Sequence, residues 1–330
     1  MEEREWFIPS AALTGLLGLA ALLLMPVAGY SEIPPYFTRF LNWVTWSLVV
    51  AMLVLAVHVV KLHRAGVTEP VAHLKAWLQA KKTTTLIAVA GMMLAGIDML
   101  FFMWIKPEVT AFAPFWSDEA LADIDHALFG MDPWRLFVGI DLTFHAWAYS
   151  FFWMVAMMAT LVWLFIQPPS RERSASLLSY FALWSLFGPI GQMLSSSAGP
   201  IFYERIGLGD RFSGLQRNIP DVTQKISDYL WALHTSGEPA VGAGISAMPS
   251  LHIATVAWIF FVFHGMRSRI APFAALFALY IFALSVALGW HYAVDGVVGA
   301  LIAWLAQLLC RRYLVSRPRE IGIRPAADVV

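Results

Sequence analysis

The chain has 330 residues, 59% of them hydrophobic and 13% charged, with 22 basic and 22 acidic side chains and a mean hydropathy of +0.66. Soluble domains carry about 25% charged residues, and a net charge of zero offers nucleic acid no electrostatic footprint. A single cysteine, Cys310, excludes an intrachain disulfide and any cysteine-based metal cluster.

The apolar excess falls in blocks of about 20 residues, each long enough to cross about 30 Å of hydrocarbon. The first, 6–25, follows the acidic run Glu2-Glu3-Arg4-Glu5. A secretory signal has a basic leader and a shorter apolar run, so this block reads as a retained helix. Pro26 and Pro34-Pro35 separate it from a second block at 40–60, and a third spans 84–105 with one intramembrane acid, Asp98. A polar stretch follows, in which Asp123-Ile124-Asp125-His126 suggests an amphipathic interfacial helix rather than a metal site. The fourth block, 146–166, ends at Gln167-Pro168-Pro169, and the fifth covers 176–197. The longest loop, 198–248, is rich in Gly and Ser, and a loop of that length is functional or disordered. Blocks at 249–266, 271–289 and 291–311 complete eight expected spans in an all-α, polytopic membrane helix bundle.

Placing the N-terminus in the cytoplasm puts fifteen of the 22 Lys and Arg residues inside. The seven outside are Arg39, Lys106, Arg135, Arg205, Arg211, Arg217 and Lys225, four of them in the long loop. That bias obeys the positive-inside rule. Both termini are expected in the cytoplasm, with loops 106–145 and 198–248 facing the exterior, periplasm or lumen.

Two segments carry chemistry. Ser246-Ala247-Met248-Pro249-Ser250-Leu251-His252 opens the sixth span, and Gly289-Trp290-His291-Tyr292-Ala293-Val294-Asp295 opens the eighth. Both are expected at the outer surface and at one depth. A spacing of four puts His291 and Asp295 on one helix face. A carboxylate accepting from one imidazole nitrogen leaves the other basic and nucleophilic; the structural alternative is a polar pair locking two helices. Pro249 suits a helix start, where free amides favour anions, and Ser250 adds a hydroxyl. Alone, that segment reads as a helix cap with an interfacial histidine. Together, a helix N-terminus, two histidines and an aspartate describe a site for a tetrahedral anion.

Pro249-Ser250-Leu251-His252 followed by His291-Tyr292-Ala293-Val294-Asp295 resembles the last two signature motifs of the type 2 phosphatidic acid phosphatase superfamily, whose helical core is shared with vanadium haloperoxidases. The resemblance covers about residues 84–313, a six-span catalytic core, with 1–83 as a two-helix N-terminal addition and 314–330 as a cytoplasmic tail. It implies that His291 attacks phosphorus and forms a phosphohistidine, that Asp295 orients it, that His252 protonates the leaving oxygen, and that Ser250 contacts phosphate. It implies no metal and no cofactor. In-line attack between the two histidines predicts side chains about 4–8 Å apart.

The pattern also departs from the family's phosphatases. Ser285 stands where they carry Arg, six residues before the nucleophile, and their first motif, a Lys with Arg-Pro after it, is missing; Ser195-Ser196-Ser197-Ala198-Gly199-Pro200 occupies its place. The branch containing fungal inositol phosphorylceramide synthase is the most similar, with His-Tyr-x-x-Asp and no upstream Arg. The expected activity is therefore a lipid phosphotransferase that takes a phospho-head group from a phospholipid and gives it to a lipid or polyol acceptor. A lipid phosphate phosphatase acting on phosphatidic acid or a polyprenyl phosphate is the alternative, and a lipid transporter or flippase is the alternative from another class. Arg205, Arg211 and Arg217 in the long outer loop are the candidate replacement phosphate ligands, the alternative for each being an ordinary solvated or headgroup-facing charge.

Overall fold

A computed structural model describes residues 2–24, 33–237 and 244–316. It is helical, with no strand among the described residues. Residues 317–330 of the expected tail, and Pro26 between the first two spans, lie outside the described residues.

Helices α1 (Glu2–Leu24), α2 (Ile33–Arg64), α4 (Lys82–Phe112), α6 (Thr143–Ile166) and α13 (Ala293–Ser316) are each long and apolar enough to cross a membrane. The segment Arg171–Leu194 crosses as a composite, α7 (Arg171–Ala182) continuing through one π turn at Leu183–Phe187 into α8 (Gly188–Leu194). Helix α3 (Pro70–Ala80) joins α2 to α4. Two shorter apolar helices, α11 (Leu251–Gly265) and α12 (Ala271–Ala287), have 15 and 17 residues. At 1.5 Å per residue these run about 23 and 26 Å, shorter than the other apolar helices. The eight expected spans are all present as apolar helices.

Polar side chains tie the N-terminal helix to the rest. Asp98 on α4 accepts the hydroxyl of Thr14 on α1 (2.9 Å) and that of Ser185 in the π turn. Neutral donors meeting a buried carboxyl between helices are the way hydrocarbon accommodates such a group. Arg173, buried at the start of α7, donates to Glu3 (2.7 Å) and to the Leu164 carbonyl (2.8 Å). Arg311 near the end of α13 pairs with Glu172 (2.5 Å). The beginnings of α1 and α7 and the end of α13 thus share one end of the bundle, and the beginnings of α11 and α13 lie at the other.

At that other end the intervening loops fold into a cap. It contains α5 (Asp118–Phe129), ended by Gly130 at φ +70°, the short α9 (Ser213–Gln216) and the amphipathic α10 (Asp221–Ser236). A separate apolar cluster of Leu121, Trp134, Phe202, Tyr203, Phe212, Leu215 and Tyr292 holds the cap together. The described residues of the 198–248 loop are therefore largely folded, where the loop's length suggested function or disorder.

Candidate active site

The two motif segments converge because α11 and α13 pack along each other. Gly299 makes that approach possible: a Cβ there would run into the Ser250 carbonyl oxygen. The Ser250 amide in turn donates to the Asp295 carbonyl (3.2 Å), which sets both helix starts at one depth.

His252 and His291 face each other with ring centres 6.3 Å apart and planes at 55°, inside the range that in-line transfer requires. Both line a cavity of about 240 Å³, together with Lys106, Tyr149, Gln192 and Ser246 and the aromatic rings of Phe102, Trp184, Phe202 and Trp290. Tyr149 stacks on His252 at 4.8 Å and 23°, and Trp153 packs on its other side at 4.4 Å. Trp153 also donates to the His252 carbonyl (3.2 Å). The ring of His252 is thereby held in place by packing rather than by a carboxylate.

His291 is oriented differently from the expectation. Its Nδ1 lies 2.8 Å from the Ala247 carbonyl oxygen and 3.6 Å from Asp295 Oδ2. A carbonyl only accepts, so Nδ1 carries the proton and Nε2 keeps its lone pair. Asp295 is fully buried; its Oδ2 accepts the Tyr292 amide (2.9 Å), and Oδ1 has no partner among the described residues. The carboxylate therefore acts on the ring chiefly through charge, and the backbone of the other motif sets the tautomer.

The remaining sequence-predicted residues fall outside the cavity lining. Ser250 caps α11, accepting the Ile253 amide at 3.4 Å, and is completely buried. Arg205 pairs with Asp228. Arg211 donates to Asp123 (2.6 Å) and Asp132 (2.8 Å), and Arg217 is exposed. The structure thus spends two of these three arginines on the cap's own carboxylates. Ser285 is buried, with its hydroxyl on the Phe282 carbonyl (2.7 Å) and its own carbonyl accepting the Trp290 and His291 amides.

Three residues that sequence reasoning passed over matter here. Lys106, near the C-terminal end of α4, is the one basic residue lining the cavity besides the histidines, among the described residues. Asp118 and Asp125 sit on one face of α5, two turns apart, and both point inward. Asp118 accepts the amides of Ala198 and Gly199 (both 2.8 Å) and the Tyr292 hydroxyl (2.9 Å). Asp125 accepts the amides of Ala293 and Val294 (2.6 and 3.0 Å), the first free N–H groups of α13. Gly199, at φ +98°, lies so near the Trp290 carbonyl that a Cβ would come within 2.6 Å of it. The Ser195–Pro200 stretch is sewn into the site as well: the Ala247 amide donates to the Ser197 carbonyl (2.9 Å) and the Met248 amide to its hydroxyl (3.0 Å). Burial pushes the Asp118 and Asp125 carboxyls above the ordinary aspartate value, and the amide hydrogen bonds oppose that push. The acidic pattern of α5 was legible only as an amphipathic helix, because nothing in the spacing says which carboxylates turn inward.

A membrane helix bundle with two histidines across one cavity, one of them backed by a buried carboxylate, belongs to the class of enzymes that act on phosphate esters at a membrane. Residues 138–309 match the family model described as PAP2 superfamily. The chain belongs to that superfamily, whose members are phosphatases and phosphotransferases. The match begins after α4 and α5, so Lys106, Asp118 and Asp125 lie outside it. No curated protein and no solved structure matches the chain.

Proposed function

We propose that the protein is a lipid phosphotransferase working through a phosphohistidine on His291. The observation that supports this reading is the 6.3 Å separation of the His252 and His291 rings, both of which line one cavity, a spacing that suits a nucleophile and a proton donor acting on one phosphorus. In the first step Nε2 of His291 attacks phosphorus and the bond to the leaving lipid alcohol breaks. His252 gives that oxygen its proton. In the second step the acceptor hydroxyl hands its proton to His252 and attacks phosphorus, the N–P bond breaks, and His291 recovers its lone pair. Asp295 stabilises the cationic ring while phosphorus is attached.

Donor and acceptor follow from charge. A phosphomonoester dianion favours several fixed cations, whereas a phosphodiester carries one negative charge. A cavity lined by a single lysine suits a phosphodiester lipid, with phosphoinositol or a similar head group, and a lipid or polyol alcohol as acceptor, as in the inositol phosphorylceramide synthase branch. The basic-residue bias supports cytoplasmic termini and a non-cytoplasmic site. A transporter would need no paired histidines at one depth.

The test uses purified full-length protein in detergent with head-group-labelled phosphodiester lipid plus acceptor, beside labelled phosphatidic acid and a polyprenyl diphosphate. Label appearing in a new lipid supports the transferase. Rapid release of inorganic phosphate from the other two substrates, with no head-group transfer, would show a phosphatase instead.

A further inference from the structure

We infer that the ammonium group of Lys106 is the phosphate-binding cation of this site, pairing with a non-bridging oxygen of a phosphodiester monoanion; this rests on the phosphoryl-transfer reading above.

The first observation is where the charge sits. Lys106 is on α4, within a membrane-crossing stretch, and lines the cavity with both histidines. Among the described residues no carboxylate lies within ion-pair distance of it, although Arg135, Arg173, Arg205, Arg211 and Arg311 all have one. An unpaired cation inside a bundle is costly and is retained where an anion arrives to meet it.

The second observation is how the side chain is held. Gly244, at φ +94°, packs its backbone on Lys106, and a Cβ there would lie 3.1 Å from the lysine Cγ. The chain that leads into the His252 motif therefore lies against the base of the Lys106 side chain. A lysine reaching for the membrane surface needs no such wall.

The third observation is the unused polarity around it. Among the described residues the Tyr149 hydroxyl, Gln192 Oε1 and Ser246 Oγ have no hydrogen-bond partner, and all three residues line the same cavity; Tyr149 and Gln192 are each 3% exposed. Buried polar atoms without partners cost stability in the empty protein, and a polar ligand beside Lys106 would satisfy them. One cation and several neutral groups match one negative charge.

The experiment measures quenching of tryptophan fluorescence by dioctyl phosphate, a phosphodiester with no head group, and by the neutral trioctyl phosphate. Full-length wild type, K106R and K106Q are compared in nanodiscs, with thermal unfolding followed to confirm that each variant folds. The expected result is that K106Q binds dioctyl phosphate about tenfold or more weakly, the size of a lost charge-assisted bond. K106R restores most of that affinity, and the neutral ester binds all three alike. Equal affinity of wild type and K106Q for dioctyl phosphate overturns the assignment, as does an equal loss for the neutral ester. His291→Ala assayed in parallel separates the two ideas. If it is inactive while K106Q binds normally, only the lysine assignment fails; if it turns over normally, the phosphohistidine reading itself fails.

Discussion

Nδ1 of His291 is 2.8 Å from the carbonyl oxygen of Ala247 and 3.6 Å from the carboxylate of Asp295. Each motif therefore completes the other: the residue that fixes the His291 tautomer belongs to the segment that carries His252. His291→Ala should abolish turnover, since no nucleophile remains. Asp295→Asn should keep the tautomer and lose only the charge behind the ring, lowering the transfer rate by about 10- to 100-fold with little change in donor affinity. Single-turnover transfer of labelled head group measures both. A full loss in Asp295→Asn, equal to that of His291→Ala, would mean that the carboxylate rather than the carbonyl sets the tautomer.

His252→Ala should slow formation of the intermediate in proportion to how badly the leaving oxygen needs a proton. An aryl phosphodiester, with a good leaving group, should lose least, and an alkyl phosphodiester most. Comparing burst rates for the two substrates checks this, and equal losses would remove His252 from the role of proton donor.

Asp118→Ala removes the acceptor for two backbone amides and the Tyr292 hydroxyl. It should destabilise the protein by about 2–4 kcal/mol, as expected for stranded buried donors, and should depress activity more than affinity because both motif segments shift. Asp125→Ala should do the same through the start of α13. Denaturation curves and KM-against-kcat measurements separate these effects.

These carboxyls also predict opposite pH responses of stability and activity. Burial holds both above the ordinary value of 3.8, so the native state binds their protons more tightly than the unfolded chain does. By linkage, what they contribute to stability is fully present below pH 3.8 and is lost as pH rises through their native values. Activity needs them ionised, because protonated carboxyls are poor partners for five donors. Turnover should therefore begin to fall on acidification at pH values above 3.8, in the same range over which protonation of these two groups adds to stability. Asp118→Asn should remove part of that acid limb.

Gly299→Ala adds a methyl against the Ser250 carbonyl. It should cost about 1–3 kcal/mol, in line with other overpacked contacts, and should lower turnover by prising α11 from α13. The ring separation of 6.3 Å is the quantity at risk, and unchanged activity with lowered thermal stability would show that the site tolerates the shift.

The amino-acid sequence by itself determined the solvent and marked the segments of the candidate site. Eight apolar blocks have one economical arrangement in hydrocarbon, where every backbone polar group must be satisfied within its own helix, and two histidines with a helical aspartate four residues on form a local pattern. The tertiary structure decided which polar groups serve that pattern. Asp118 reaches amides 80 and 81 residues away, Asp125 reaches amides 168 and 169 residues away, and an acceptor for a distant backbone N–H leaves no spacing to read. The basic residues show the same limit. In the sequence Arg205, Arg211 and Lys106 are equally candidate cations, and only the fold commits the two arginines to Asp228, Asp123 and Asp132 while Lys106 on α4 lines the cavity. A charge's partner depends on which surfaces meet, and helices that pack through Gly299 and a loop that folds over α5 bring those surfaces together only in three dimensions.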